Sequence, residues 1–331
     1  MIGAPFIPAR LPSGAPPLLL VVIDTEEEFD WSKPHNPESR SVRCIAEQHR
    51  AQAIFARYGV VPTYVVDHPV AATPESAAVF REWRAAGTCV VGTHLHPWVN
   101  PPLGEALNAA NSYPGNLPAD LERAKLQTLT DTIAANIGER PTIYKAGRYG
   151  LGPNTPAILA ALGYEIDLSV VPATDFSADG GPDFRGYPHE PYWFGPGGQL
   201  FEVPLTRGYP GILGDLGEAV HGALSGPLGR KLRLPGILSR LRLVERIQMT
   251  PEGVSAADNI RLADYLVGRG RKVFSYAYHS STLLPGGSPY VADETQRQAF
   301  LDAMDRFLDH FMGKLKGRAV TPHELRDMCQ N

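Results

Sequence analysis

The sequence predicts an α/β protein built on a parallel β-sheet, and a (β/α) barrel suits the pattern better than an open sheet. Short apolar runs rich in β-type residues alternate with longer segments of helical periodicity, which favours parallel strands connected by helices. The chain offers seven such runs with intervening helical segments, and 331 residues are enough for one large α/β barrel or two smaller domains.

The predicted elements follow one another in a regular order. Each predicted strand is a short apolar run, and each predicted helix carries apolar residues at helical spacing. The strands are predicted at Leu18–Ile23, Val60–Val66, Cys89–Thr93, Thr142–Ala146, Tyr164–Val170, Leu200–Val203 and Lys272–Tyr278. The helices are predicted at Ser41–Tyr58, Pro74–Ala86, Pro118–Ile137, Asn154–Leu162, Ala256–Arg269 and Asp293–Met312.

Two stretches interrupt this rhythm. Residues 172–198 are rich in Gly, Pro and aromatic residues, and so long a loop in a compact domain is more often functional than accidental. Residues 208–252 contain RKLRLPGILSRLRLVERI, with basic residues among leucines. Residues 230–246 are therefore either a helix packed on the barrel with a solvated basic face or a segment in weak contact with a membrane surface.

Composition narrows the classes of function. The net charge of −4 argues against a general nucleic-acid binder, which needs a basic face. Cys44, Cys89 and Cys329 are few and far apart, which argues against a cysteine zinc site and a disulfide framework. The N-terminal residues lack the pattern of a secretory signal, and no apolar run is long enough for a membrane span. We therefore expect a cytoplasmic protein.

Acidic side chains follow the first predicted strand. The apolar run ends in Asp24, Thr25 and Glu26, and residues two apart on a strand project from the same face. Asp24 and Glu26 should therefore lie together at the C-terminal end of the strand, where catalytic groups of α/β barrels sit. A solvated acidic turn is the alternative explanation.

Two histidines end the third predicted strand at the same spacing. His94 and His96 come just before Pro97, which has no N–H and ends the ladder. Two imidazoles on one side of a strand end are a sensible pair of metal ligands. With a carboxylate from the first strand they would form a two-His-one-carboxylate site that leaves coordination positions open.

Further polar residues follow two more strands. His279 lies where the last strand gives way to a Gly/Pro loop, and it would serve as a third metal ligand or as a general acid. Arg148 precedes a Gly-rich loop, and its planar guanidinium suits a carboxylate such as Asp24.

These pieces, in this order, resemble the NodB-homology polysaccharide deacetylases, a carbohydrate esterase family that removes acetyl groups from N-acetylated sugars. The segments that carry the resemblance are DTEEEFDW, GTHLHPW, AGRYG and YHSSTLLPGGSPY. They are most similar to the WalW-like branch, and the resemblance covers roughly residues 18–311.

The resemblance implies a single domain over residues 1–331, a distorted, TIM-barrel-like (β/α)7 barrel with a helical insertion at about 208–252. It also implies one divalent metal ion, most simply zinc. By this resemblance Asp24 matches the catalytic base, Glu26 the metal-binding acid with Glu27 as fallback, His94 the first metal histidine, Arg148 the residue that steadies the base, and His279 the general acid.

Two departures from the family pattern affect the site. The usual Asp-Asp pair is Asp-Thr-Glu here, and the position of the usual second histidine, four residues after the first, is Trp98. His96 is the only histidine nearby, so we expect it as the remaining metal ligand. The alternative that the chain is a metal-poor or inactive relative of this family stays open.

The long loop is expected to contact the substrate. Asp175 is expected to orient His279, and Asp175, Phe176, Trp98 and Tyr149 are the expected substrate contacts. The aromatic residues of the loop would form either a platform for a sugar ring or apolar anchors that order the loop: Phe176, Phe184, Tyr187, Tyr192, Trp193 and Phe194.

The expected function is therefore metal-dependent deacetylation of a carbohydrate, acting on carbon–nitrogen bonds. A cytoplasmic enzyme cannot reach assembled cell wall, so a nucleotide-linked or lipid-linked sugar precursor is the expected substrate. Three alternatives remain: a hydrolase of a small amide or cyclic imide on the same scaffold, an inactive sugar-binding relative, and a glycosidase with paired carboxylates. The glycosidase is disfavoured because it leaves the histidines without a role.

Overall fold

The computed structural model describes residues 6–211, 217 and 245–329. In this part of the chain a largely parallel sheet is combined with helices. The strands are β1 (Ile7–Pro8), β2 (Leu18–Thr25), β3 (Thr63–Val66), β4 (Val90–Leu95), β5 (Ile143–Ala146), β6 (Ile166–Asp167), β7 (Tyr192–Phe194), β8 (Leu200–Glu202), β9 (Arg207–Gly208), β10 (Ile247–Gln248), β11 (Val273–His279) and β12 (Arg318–Ala319). The helices are α1 (His49–Arg57), α2 (His68–Ala72), α3 (Pro74–Ala85), α4 (Ala119–Ile137), α5 (Thr155–Ala161), α6 (Ala256–Gly268), α7 (Glu294–Asp309) and α8 (Pro322–Met328).

The main sheet has the order β1-β7-β8-β6-β5-β4-β3-β2-β11, with β12 also paired to β2. The path from β8 to β11 is parallel throughout and contains the seven predicted strands. The predicted α/β class is therefore confirmed. Parallel strands place their C-terminal ends at one edge, where a site can be assembled.

No strand ladder joins β8 to β11 in the part of the chain that the structure describes, so the sheet is not a closed barrel there. Single hydrogen bonds span this gap instead. The Ser275 amide donates to Thr206 Oγ1 at 2.8 Å, and the Ala277 amide donates to the Met249 carbonyl at 3.3 Å. The seven parallel strands therefore form a distorted, barrel-like sheet that is open between β8 and β11 in the described residues.

The strand β2, which pairs with β3, β11 and β12, is buried along its whole apolar run. All six apolar residues of its run, 18–23, are at most 2% exposed, because β3 and β11 flank the strand and helices cover the sheet. A continuous apolar run is typical of a parallel strand buried on both faces. Truncating one of its leucines to alanine would cost about 2–5 kcal/mol of stability.

Several short elements were not predicted. The strands β1, β7, β9, β10 and β12 have two or three residues, too few to show a period of two. The predicted helix Ser41–Tyr58 is divided into a 3₁₀ turn, Arg43–Glu47, and α1. The short helix α2 begins after an N-cap residue, Asp67, whose side chain accepts a hydrogen bond from the Val70 amide.

The predicted insertion begins and ends on neighbouring strands. β9 and β10 pair antiparallel, so the chain leaves and returns along one two-stranded ladder. Most of the predicted basic segment, residues 230–244, lies outside the described residues. None of the described helices combines the length and apolar character that crossing a membrane requires. The single-domain organisation stays a prediction.

A carboxyl pair lies inside the sheet. Asp167 on β6 and Glu202 on β8 are register partners, and both are fully buried. Burial raises the pKa of each carboxyl group, and the proximity of the two raises that of Glu202 further. The pair therefore retains a proton under conditions in which two exposed carboxyls would be ionised.

Candidate active site

The C-terminal ends of β2, β4, β5 and β11 open into one cavity of about 880 Å³. Most of the residues predicted for the site lie on its wall. The cavity is lined by Asp24, Glu26, Phe29, Trp31, Lys33, His35, His94, His96, Trp98, Tyr113, Ala146, Arg148, Tyr149, Phe176, Asp179, Arg207, Arg246, Gln248, Thr250, Glu252, Val254, His279 and Tyr290.

Glu26, His94 and His96 converge at the base of this cavity. The Nε2 atoms of His94 and His96 lie 3.7 and 3.4 Å from Glu26 Oε2, and all three residues are 2% exposed. One potential ligand atom from each residue lies within 4.8 Å of the others. The i, i+2 spacing of the histidines on the end of β4 brings both rings to the same side, as the sequence predicts.

This group has the character of a metal site. Burial lowers the pKa of His94, and it lowers that of His96 to about 4, so both imidazoles are neutral, which is the form that binds metal. Glu26 Oε1 is buried and has no hydrogen-bond partner in the described part of the chain. An unpartnered buried carboxylate oxygen next to two neutral imidazoles suits a divalent cation better than it suits an empty protein interior.

The surroundings of the histidines direct their Nε2 atoms inward. His94 Nδ1 lies 3.0 Å from the Lys145 carbonyl oxygen, and His96 Nδ1 lies 2.8 Å from Glu27 Oε2. The Trp98 indole also donates to Glu27 Oε1 at 2.6 Å. Glu27, the fallback ligand, thus forms a second potential group with Asp67 and His96, but its contacts fit a role in orienting His96.

Lys145, and not Arg148, is the cation on Asp24. Lys145 Nζ lies 2.5 and 2.7 Å from the two Asp24 oxygens, and both residues are buried. Burial raises the pKa of Asp24, but the positive charges, that of Lys145 foremost, outweigh this effect, and the pKa is lowered. Asp24 is therefore held ionised, as a proton acceptor must be.

The prediction for Arg148 is corrected by the geometry of the chain after β5. Arg148 has a φ of 53°, in the left-handed region, and its side chain lies at the cavity rim. There it donates to Asp179 Oδ2 at 2.6 Å and to Ser112 Oγ, and it stacks over the Tyr113 ring at 4.2 Å. Lys145 was missed because it is a single polar residue inside an apolar strand.

His279 is oriented by Glu252 rather than by Asp175. Glu252 Oε2 lies 2.8 Å from His279 Nδ1, and Glu252 Oε1 accepts from the His279 amide at 3.0 Å. His279 Nε2 faces Asp24 Oδ2 at 3.7 Å. Burial lowers the pKa of His279, but Glu252 and Glu26 outweigh it and raise the pKa to about 10, so the imidazolium carries a proton that it can donate.

Asp175 lies away from this dyad. It accepts from the Ser177 amide at 2.9 Å and pairs with Arg185 at 3.2 Å, and it does not line the cavity. The prediction for Asp175 was wrong because tertiary contacts decide which residues of the 172–198 loop reach the site, and the sequence does not reveal those contacts. Glu252 was missed because it lies between elements, where no periodic pattern marks it.

Aromatic residues from several segments surround the cavity. Tyr149 and Phe176 stack at 5.8 Å with an interplanar angle of 17°, and Trp31 meets the His279 ring edge-on at 4.8 Å. Of the loop aromatics considered for a sugar platform, Phe176 lines the cavity. Others from the loop are buried in the core, as the anchor interpretation predicts: Phe184, Tyr187, Tyr192 and Phe194.

No protein-family model matches the sequence, and no curated protein does. Solved structures are similar in fold. A candidate polysaccharide deacetylase from Mycobacterium smegmatis has a TM-score of 0.60 and 16% identity, with 99% of this chain and 94% of that chain covered. The chain therefore shares the fold of that protein over nearly its whole length.

Two further structures superpose less closely. The chitin deacetylase of the fungus Colletotrichum lindemuthianum has 13% identity and a TM-score of 0.44, with 98% of this chain and 92% of that chain covered. A family 4 carbohydrate esterase from Streptomyces lividans has 9% identity and a TM-score of 0.44, with 93% of each chain covered.

Proposed function

We propose that this chain is a metal-dependent hydrolase of the polysaccharide deacetylase type, which removes the acetyl group from an N-acetylated sugar. The observation that carries the proposal is the meeting, in one cavity, of a candidate metal group, an ionised carboxylate and a protonated imidazole. Metal-assisted hydrolysis of an amide uses these three functions: an electrophile for the carbonyl, a base for water and an acid for the leaving amine.

Glu26, His94 and His96 would hold the metal ion, for which zinc suits the donor set. When bound, a divalent ion supplies Lewis acidity, which polarises a carbonyl group and lowers the pKa of water. The buried Glu27 carboxyl, through His96 Nδ1, would keep that ring in the orientation and tautomer that binding requires.

Asp24 would accept the proton of the attacking water. Its bidentate contact with Lys145 both fixes the position of the carboxylate and keeps it ionised. His279 lies on the neighbouring strand with Nε2 directed toward Asp24, and it would give its proton to the leaving nitrogen. Glu252 holds His279 in the protonated state until that transfer.

The test is acetate release from a panel of N-acetylated sugars by the zinc-reconstituted protein. Asp24→Asn and His279→Ala should each lower the rate by about 10²–10⁴. His310→Ala is a matched control, because His310 pairs with Asp264 outside the cavity. Full turnover by either active-site variant would refute the assigned roles.

Two other outcomes would redirect the proposal. Ring opening of cyclic imides or cleavage of small amides, without acetate release from sugars, would favour a C–N hydrolase on the same scaffold. Sugar affinity without turnover or bound metal would favour an inactive binding relative. The expected natural substrate, a nucleotide-linked or lipid-linked sugar, remains part of the proposal.

A further inference from the structure

A buried arginine lies on the wall of the candidate active site. Arg207 is 5% exposed and lines the cavity that also contains Asp24 and His279. It belongs to the short strand β9 and is the register partner of Gln248 on β10, a second cavity residue. The antiparallel pairing of β9 and β10 fixes the backbone from which the guanidinium extends.

The contacts of Arg207 are with neutral acceptors. Its terminal nitrogens donate to Thr174 Oγ1, to the Pro172 carbonyl at 3.4 Å and to Gln248 Oε1 at 2.6 Å, while its Nε is buried and has no acceptor among the residues that the structure describes. Within the described residues, no carboxylate lies at ion-pair distance from Arg207. Buried charges are ordinarily paired, because an uncompensated one is costly to desolvate.

Three other cations around the cavity differ from Arg207, because each is paired with a carboxylate. Lys145 is neutralised by Asp24, Arg148 by Asp179 and Lys33 by Asp30. Burial lowers the pKa of Arg207 to about 10, and Arg246 acts in the same direction. Arg246 also lines the cavity. This side of the cavity therefore has positive charge that the described side chains do not compensate.

We propose that Arg207 binds an anionic group of the substrate, a carboxylate or a phosphoryl group, at a subsite in the cavity that also contains the candidate metal group. This inference rests on the proposed deacetylase function, which identifies the rest of the substrate as an N-acetylated sugar. A planar guanidinium is suited to either oxyanion, because its N–H groups match two oxygens of one group. The anion would supply the counter-charge that Arg207 lacks, and it would restrict the enzyme to acidic sugars.

The experiment measures binding by calorimetry to three N-acetylated sugars that differ in charge. These are N-acetylglucosamine, its 1-phosphate, and an N-acetylated aminouronic acid that carries a carboxylate. The wild-type protein should bind one or both acidic sugars about 10- to 100-fold more tightly than the neutral sugar, the range for a hydrogen bond to a charged group. The two acidic probes distinguish phosphoryl from carboxylate recognition.

Variants assign the preference to Arg207. Arg207→Gln should reduce it to about twofold or less, and Arg207→Lys should retain part of it because the charge is kept. Arg185→Gln is the matched control, since Arg185 is exposed, pairs with Asp183 and lies outside the cavity. It should leave the preference unchanged. A preference that survives in Arg207→Gln would place the anion elsewhere and overturn the assignment.

The wild-type measurement decides the proposal even if the glutamine variant fails to fold. Equal affinity for the three sugars, within about twofold, would overturn it. Acetate release from the same sugars tests the deacetylase function separately. An Arg207-dependent preference without acetate release would remove that function but keep the anion site. Acetate release without any preference for acidic sugars would support the deacetylase function but remove the anion site.

Discussion

The sharpest prediction concerns the buried ion pair between Lys145 and Asp24. The two contacts of 2.5 and 2.7 Å, with both residues at most 3% exposed, place the pair among buried salt bridges. Lys145→Met keeps most of the length of the side chain but removes its charge, so the buried Asp24 loses its nearest counter-ion and is left facing the His279 imidazolium, at 3.7 Å. Breaking such a pair costs about 3–5 kcal/mol of the free energy of unfolding.

The assay is urea unfolding of the variant beside Arg148→Met. Arg148 also forms an ion pair, at 2.6 Å from Asp179, but the two side chains are 28% and 48% exposed. Exposed pairs contribute about 0–1 kcal/mol, so Arg148→Met should have a small effect on stability. The double variant Lys145→Met/Asp24→Asn should be more stable than Lys145→Met, because it also removes the buried carboxylate that has lost its lysine partner.

Activity gives a second measurement of the same contact. Lys145 is the largest of the charges that lower the pKa of Asp24, so its removal should raise that pKa. The acidic limb of the kcat/KM profile should then move to higher pH, and the rate at neutral pH should fall. Equal stability losses in Lys145→Met and Arg148→Met, or an acidic limb that moves only in the Arg148 variant, would refute this reasoning.

Three further predictions follow from the same structure. Metal analysis should find about one divalent ion per chain, lost in the His94→Ala/His96→Ala variant; retention of the ion in that variant would contradict the ligand assignment. Glu252→Gln removes a charge that raises the pKa of His279, so the basic limb of kcat/KM should move to lower pH, and an unmoved limb would exclude His279 as the acid. The raised pKa of Glu202 means that the folded state holds a proton that the unfolded state has lost above about pH 4.5. The free energy of unfolding should therefore fall as pH rises. Glu202→Gln should weaken this pH dependence when unfolding is measured from pH 5 to 9. The same slope of unfolding free energy against pH in the wild type and the variant would contradict the prediction.

Much of the fold could be predicted because its signal is local. Each of the seven parallel strands is preceded or followed by a segment with helical periodicity, and a continuous apolar run such as 18–23 has few structural alternatives to a buried strand. The open gap between β8 and β11 could not be predicted, because it depends on single hydrogen bonds, such as that from the Ser275 amide to Thr206. Such bonds have no counterpart in sequence periodicity.

The candidate metal group was predictable for a geometric reason. Residues two apart on an extended chain project from one face, and this geometry persists one residue beyond β2, where the Glu26 amide donates to Ser280 Oγ at 3.1 Å. The same rule brings His94 and His96 together on β4. Glu252 is different, because it reaches His279 across 27 positions of the chain from a loop, and only the folded backbone determines that approach.

Register explains why Lys145 rather than Arg148 reaches Asp24. On adjacent parallel strands, residues that are register partners project from the same face of the sheet, and the structure pairs Lys145 with His94 and Asp24 with His279. These partners form an interior layer at the C-terminal end of the sheet, like the layers that fill an α/β barrel. Arg148 lies two residues beyond the end of β5, where strand alternation no longer controls its direction. In this chain the lysine within the apolar strand β5, beside the histidine-bearing strand β4, is therefore the cation that contacts Asp24, whereas the arginine in the following loop pairs with Asp179.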